Sequence, residues 1–226
     1  MNRKHILAAL AGACLIGGVS QANAAAYSFT AAPISFDTQL SLGFTFTANT
    51  NFNVTSLGIF DDQGDGFLTS HDVGIFAGDG LIGPGPLLAS TTFASGTSGT
   101  LGANDFRYKA ITPLALLAGQ SYTIAGLFPN ISGNDPWVFG GSAITGFSVD
   151  PSITIGANAA RYIYFPPGGV LTDPNLHFSD YRIYAVNFNG LTGGVPEPAS
   201  WALMLAGFGL TGSAMRRRAK VRAVLA

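Results

Sequence analysis

The chain has 226 residues, a formal net charge of −1 and a single cysteine, with 47% hydrophobic but only 10% charged residues. The small net charge hides a split: residues 25–194 hold four cations (Arg107, Lys109, Arg161, Arg182) against eleven Asp and no Glu, a net −7. Such an acidic body argues against nucleic acid and anionic headgroups as ligands, and Cys14 precedes it, so the body has no disulfide, thiolate metal site or cysteine nucleophile.

Residues 1–24 read as a secretory signal peptide and signal helix. Arg3 and Lys4 form the charged start, 6–19 the apolar run, and Ala22-Asn23-Ala24 an A-x-A cleavage site. The implied export route is the Sec translocon. Residues 25–190 then alternate short apolar runs with turn clusters. In 43–47 the pattern is strict, so Phe44 and Phe46 are expected to face a core and Thr45 and Thr47 to face water. Further strands are expected at 52–60, 73–76, 87–93, 106–111, 121–127, 153–155, 161–165 and 181–188. The last would put Tyr181, Ile183 and Ala185 on one face and Arg182, Tyr184, Val186 and Phe188 on the other. Gly83-Pro84-Gly85-Pro86, Asn134-Asp135-Pro136, Pro166-Pro167-Gly168-Gly169 and Asp173-Pro174-Asn175 supply turn chemistry. No long helical period occurs. The expected fold is all-β, a jelly-roll-like β-sandwich of about eight to ten strands in two sheets. A spacer at 191–194 follows.

The densest polar stretch is 61–72. Against the calcium-loop spacing, Asp61, Gln63, Asp65, Thr69 and Asp72 fall at ligand positions and Gly66 at the turn. Gln63 replaces an acid, Asp72 replaces the longer Glu, and the flanks read as strands. The stretch is therefore either a calcium site or a solvated turn built on Asp and Gly. Ser70-His71-Asp72 has the letters of a catalytic triad, but adjacent strand residues point to opposite faces and do not converge. Trp137, Tyr162 and Tyr164 are candidates for an aromatic platform under sugar rings, with burial in a sandwich core as the simpler alternative. No cofactor is implied unless calcium binds, and no spaced acid–base or nucleophile set marks an enzyme.

Residues 195–222 have three parts in order. Pro196 and Pro198 bracket Glu197, and neither proline can continue a helix through it. Residues 199–215 carry no charge and reach about 25 Å as a helix, just short of a ~30 Å hydrocarbon core. Arg216, Arg217 and Arg218 then hold that end in the cytoplasm. Together these resemble the PEP-CTERM sorting signal of Gram-negative bacteria, which exosortase recognises and processes. The resemblance implies an exosortase substrate, anchored in the inner membrane only transiently and then released to the cell surface or extracellular matrix. The expected function is that of a non-enzymatic envelope or matrix protein in contact with exopolysaccharide. The alternative is a carbohydrate-binding sandwich module that uses the aromatics or calcium.

Overall fold

A computed structural model describes residues 24–30, 32, 34–35, 39–81, 83–129, 135–139, 144–177, 183–191 and 207–208. The signal peptide apart from Ala24, the sorting segment apart from Gly207 and Phe208, and Tyr181 and Arg182 lie outside the described residues. Within the described residues the chain forms strands β1 (Ala24–Ala25), β2 (Tyr27–Ser28), β3 (Ile34–Ser35), β4 (Leu40–Ala48), β5 (Phe52–Phe60), β6 (His71–Ala77), β7 (Leu87–Phe93), β8 (Thr100–Leu101) and β9 (Phe106–Leu116). It continues with β10 (Ser121–Phe128), β11 (Trp137–Phe139), β12 (Ser148–Val149), β13 (Ile153–Thr154), β14 (Ala160–Tyr164), β15 (Leu176–His177), β16 (Ile183–Tyr184) and β17 (Val186–Leu191).

Two sheets make the sandwich. One has the order β1-β17-β5-β9-β8; the other runs β15-β14-β4-β10-β6-β7, with β13 also paired to β4. A small sheet, β16-β11-β3, and the pair β12-β2 complete the architecture. All of these pairings are antiparallel. The all-β sandwich expected from the alternation is the fold observed.

The core is where the two inner faces meet. Leu42, Phe44 and Phe46 of β4 and Val73 and Ile75 of β6 lie opposite Leu57 and Ile59 of β5 and Val186 and Phe188 of β17, all buried. Phe46 and Phe188 meet across the sheets with ring centroids 4.9 Å apart. Tyr27 sits in the middle, its ring 4.6 Å from Tyr184 and edge-on to Phe44 and Phe106, with its hydroxyl donating to the Val186 carbonyl. Burial pushes its phenol well above the usual range.

Along β5 the inward set changes phase, from Phe52 and Val54 to Leu57 and Ile59. The register against β9 shifts at that point, where Thr55 alone stands against residues 111–113. Gly190 is required beside it: its φ is +124°, and a Cβ there would lie 2.1 Å from the Asn53 carbonyl oxygen.

Two expectations are corrected. Thr45 does not face water; it is buried, with its N–H and hydroxyl both bonded to the Ala159 carbonyl. Ser41 and Thr123 on the same outer face donate to the carbonyls of Thr172 and Gly78. Loops cover this face because its side chains are small, and each hydroxyl meets a loop carbonyl. The run 181–188 is not one strand. It breaks at Ala185, whose carbonyl accepts the Phe60 N–H, and passes from β16 in the small sheet to β17 in the five-stranded one.

Candidate functional site

The loop 61–70 carries the chain from β5 across the sandwich to β6, and two buried charge pairs fix it. Asp61 leaves β5 with its carboxylate inside the protein, where it accepts the Gly66 N–H at 3.0 Å and the Arg107 Nε–H. Arg107 stands on β9 opposite Ile59, and its other arm donates to the Gly64 carbonyl at 2.7 Å. The pair thus closes the tight turn 62–64, in which Gln63 sits at φ +60°.

At the far side of the loop His71 opens β6. Its ring, 1% exposed, packs between Phe67 and Phe128. Nδ1 lies 3.0 Å from the Leu127 carbonyl oxygen and Nε2 3.0 Å from Asp135 Oδ2. Each ring nitrogen thus has an oxygen partner. Asp135 also accepts the N–H groups of Leu68 and Thr69 and the Thr69 hydroxyl. Burial alone would raise the Asp135 carboxyl, but the hydrogen bonds from His71, Leu68 and Thr69 outweigh it and hold the group below its ordinary value.

Between the two pairs lies a cleft of about 460 Å³ lined by Asp61, Asp62, Asp65, Phe67, Leu68 and Asp135 among others. Of the calcium-spaced residues, Asp61 is engaged by Arg107 and Gly66, Thr69 by Asp135, and Asp72 by the Thr92 hydroxyl on β7. Gln63 donates to Asp62, and Asp65 lies exposed on the cleft wall. The geometry therefore sends Asp61, Thr69 and Asp72 to three different protein partners. Among the described residues no group of three or more His, Cys, Asp or Glu side chains is placed to hold a metal ion. Ser70, His71 and Asp72 also diverge: Ser70 donates to the Phe93 carbonyl, His71 turns to Asp135, and Asp72 to Thr92. The Thr69 hydroxyl donates to Asp135 Oδ2 at 3.1 Å and also lies 3.5 Å from His71 Nε2, so Thr69, His71 and Asp135 form one buried polar group at this end of the loop.

The aromatic candidates separate. Trp137 is 5% exposed, on β11 within the core. Tyr162 and Tyr164 meet edge to face on β14 with centroids 5.2 Å apart. Tyr164 is 41% and the adjacent Phe165 63% exposed.

Sequence reasoning missed Arg107 and Asp135. Arg107 left a weak signal, being one of four cations in the body and lying on an apolar strand two residues from Lys109. Asp135 left none: it reads as a turn residue before proline, and its partner is 64 residues away.

Fold and loop together define a class: an acidic β-sandwich whose final strand, β17, ends three residues short of a tail unlike the rest of the chain. That tail is matched by the family described as PEP-CTERM protein-sorting motif, over residues 194–218. The match takes in Pro196, Glu197, Pro198 and Arg216–Arg218, and it supports an exosortase-sorted protein, with export and membrane-anchored sorting implied by the motif. No curated protein matches the chain. Among the described residues no helix is long and apolar enough to cross a membrane; the segment 199–215 lies outside them except for Gly207 and Phe208, which are helical.

Proposed function

We propose that the sandwich is a non-enzymatic cargo of the sorting pathway, an envelope or extracellular-matrix protein whose hydrated acidic surface works among exopolysaccharide. The observation that carries the reading is the sorting motif at 194–218, placed directly behind a fold whose two buried ion pairs, Asp61–Arg107 and His71–Asp135, brace one loop. The signal peptide at 1–24 delivers the chain to the Sec translocon. The apolar segment holds it in the inner membrane with its C-terminus cytoplasmic, and exosortase then releases it. Mass spectrometry of the mature protein is expected to find its C-terminus near Glu197, with Trp201 onward absent. Glu197→Ala is expected to leave precursor in the inner membrane. Recovery of the Arg216-Arg217-Arg218 region from the mature form would refute the reading.

A second reading, a carbohydrate-binding module, is favoured by one observation. Tyr162, Tyr164 and Phe165 put aromatic faces at the β14 end of the seven-stranded sheet, with Tyr164 and Phe165 exposed. Binding on a glycan array that is lost with Tyr164→Ala supports it; an array without signal rejects it.

A further inference from the structure

A second polar centre lies at the opposite end of β6 from His71, about 20 Å along the strand. Here the β6–β7 connection, 78–86, folds against the segment that follows β14. Asp173 in that segment is 2% exposed. Its Oδ2 accepts the Gly85 N–H at 2.7 Å, while its Oδ1 is shut off from solvent and has no hydrogen-bond partner among the described residues. A buried carboxylate oxygen in this state needs a counterpart.

Arg161 of β14 does not supply one. Its Nε donates to the Asp79 carbonyl at 2.9 Å and its Nη1 to the carbonyls of Asn158 and Ala160. The ion pairs among the described residues are His71–Asp135 and Asp61–Arg107, so Arg161 is bound to backbone instead. Asp79 brings a second carboxylate close enough for its charge to act on both Asp173 and Arg161. Burial pushes the Asp173 carboxyl up; the Gly85 N–H and Arg161 oppose the rise and Asp79 adds to it. Two carboxylates, the buried Asp173 and the partly exposed Asp79, whose Oδ1 accepts the Leu81 N–H at 3.1 Å, face one guanidinium.

Gly80 lets the β6–β7 connection pack directly against the segment after β14. Its φ is +72°, and a Cβ there would stand 2.7 Å from the Pro174 carbonyl oxygen and 3.4 Å from Asp173 Oδ1. The free carboxylate oxygen and a backbone carbonyl therefore flank the same side-chain-free position.

We infer that this is a site for a hard divalent cation of the calcium class, held by Asp173 Oδ1, the Pro174 carbonyl and the Asp79 carboxylate. Such cations take oxygen ligands of mixed charge in adaptable geometry and fill the rest of the shell with water. The bound ion ties the β6–β7 connection to the segment after β14, over the outer face of the seven-stranded sheet. The inference does not rest on the proposed envelope role, and the site is distinct from the acidic loop 61–72.

The test follows thermal unfolding of the full-length protein in detergent by circular dichroism, in EDTA and in millimolar CaCl₂. Calcium is expected to raise Tm by roughly 5 °C through mass action. Asp173→Asn is expected to abolish the rise, Asp79→Asn to reduce it, and Asp65→Asn in the other loop to leave it intact. In EDTA, Asp173→Asn should melt no lower than wild type, because it removes an uncompensated buried charge; this separates a lost ligand from a lost fold. Should that variant fail to fold, the partly exposed Asp79 decides through its own substitution. A wild-type Tm indifferent to calcium, or a rise that survives Asp173→Asn or disappears with Asp65→Asn, would overturn the inference.

Discussion

At the residue scale a few charges are buried, and each has a specific surrounding. Asp61 and Arg107 are both buried and satisfy each other and the turn between them. A buried pair need not stabilise more than an apolar pair of the same shape, but removing one member strands the other. Arg107→Met is therefore expected to cost about 3–5 kcal/mol, and adding Asp61→Asn to it should restore part of that loss, both read from urea unfolding. Asp135 gives a pH signature. Its folded carboxyl titrates below the ordinary 3.8, so its contribution is present above that value and is lost as pH falls through the lower, folded one. Asp173 has the opposite sign, since its folded carboxyl titrates above 3.8 and its cost appears as pH rises. Melting curves from pH 2 to 7 should show Asp135→Asn less stable than wild type at neutral pH, with the difference shrinking below pH 4. A constant difference across that range would refute the assignment.

At the scale of elements, the long strands were legible because burial on one face imposes a period of two. The runs at 52–60 and 87–93 are β5 and β7 as expected, while β9 runs on to Leu116, well past the expected end at 111. What escaped was everything decided by a distant partner. The Ala185 break depends on Phe60, the burial of Thr45 on Ala159, and the place of Asp135 on His71. The register shift between β5 and β9 was visible only as a change of phase in the apolar residues of β5, and its need for Gly190 not at all. Gly190→Ala puts a Cβ against the Asn53 carbonyl in a backbone region that alanine avoids. It is expected to cost about 1–3 kcal/mol, seen as a lower urea midpoint at unchanged m-value. A midpoint equal to wild type would show that the backbone at the shift relaxes freely.

At the scale of the whole molecule, the two ends of the sandwich meet. Ala24 pairs with Leu191 and Ala25 with Asn189, so the chain enters and leaves the fold on adjacent strands. Ala24 and Leu191 therefore sit side by side at one edge of the five-stranded sheet. From Leu191 to Glu197 is six residues, a reach of at most about 21 Å. On the proposed cleavage near Glu197, exosortase would act close to a folded body. β17 does not yield easily to lengthen the tether, because it pairs with both β1 and β5 and buries Val186 and Phe188. Removing residues 192–194 cuts the reach to about 10 Å and brings the sandwich against the cleavage site. We expect that deletion to slow processing, with precursor accumulating in a pulse-chase, whereas inserting three Gly or Ser residues at the same place leaves the wild-type rate. Equal rates for deletion and insertion would mean that the fold does not crowd the site, and that exosortase reads the tail without regard to the domain above it.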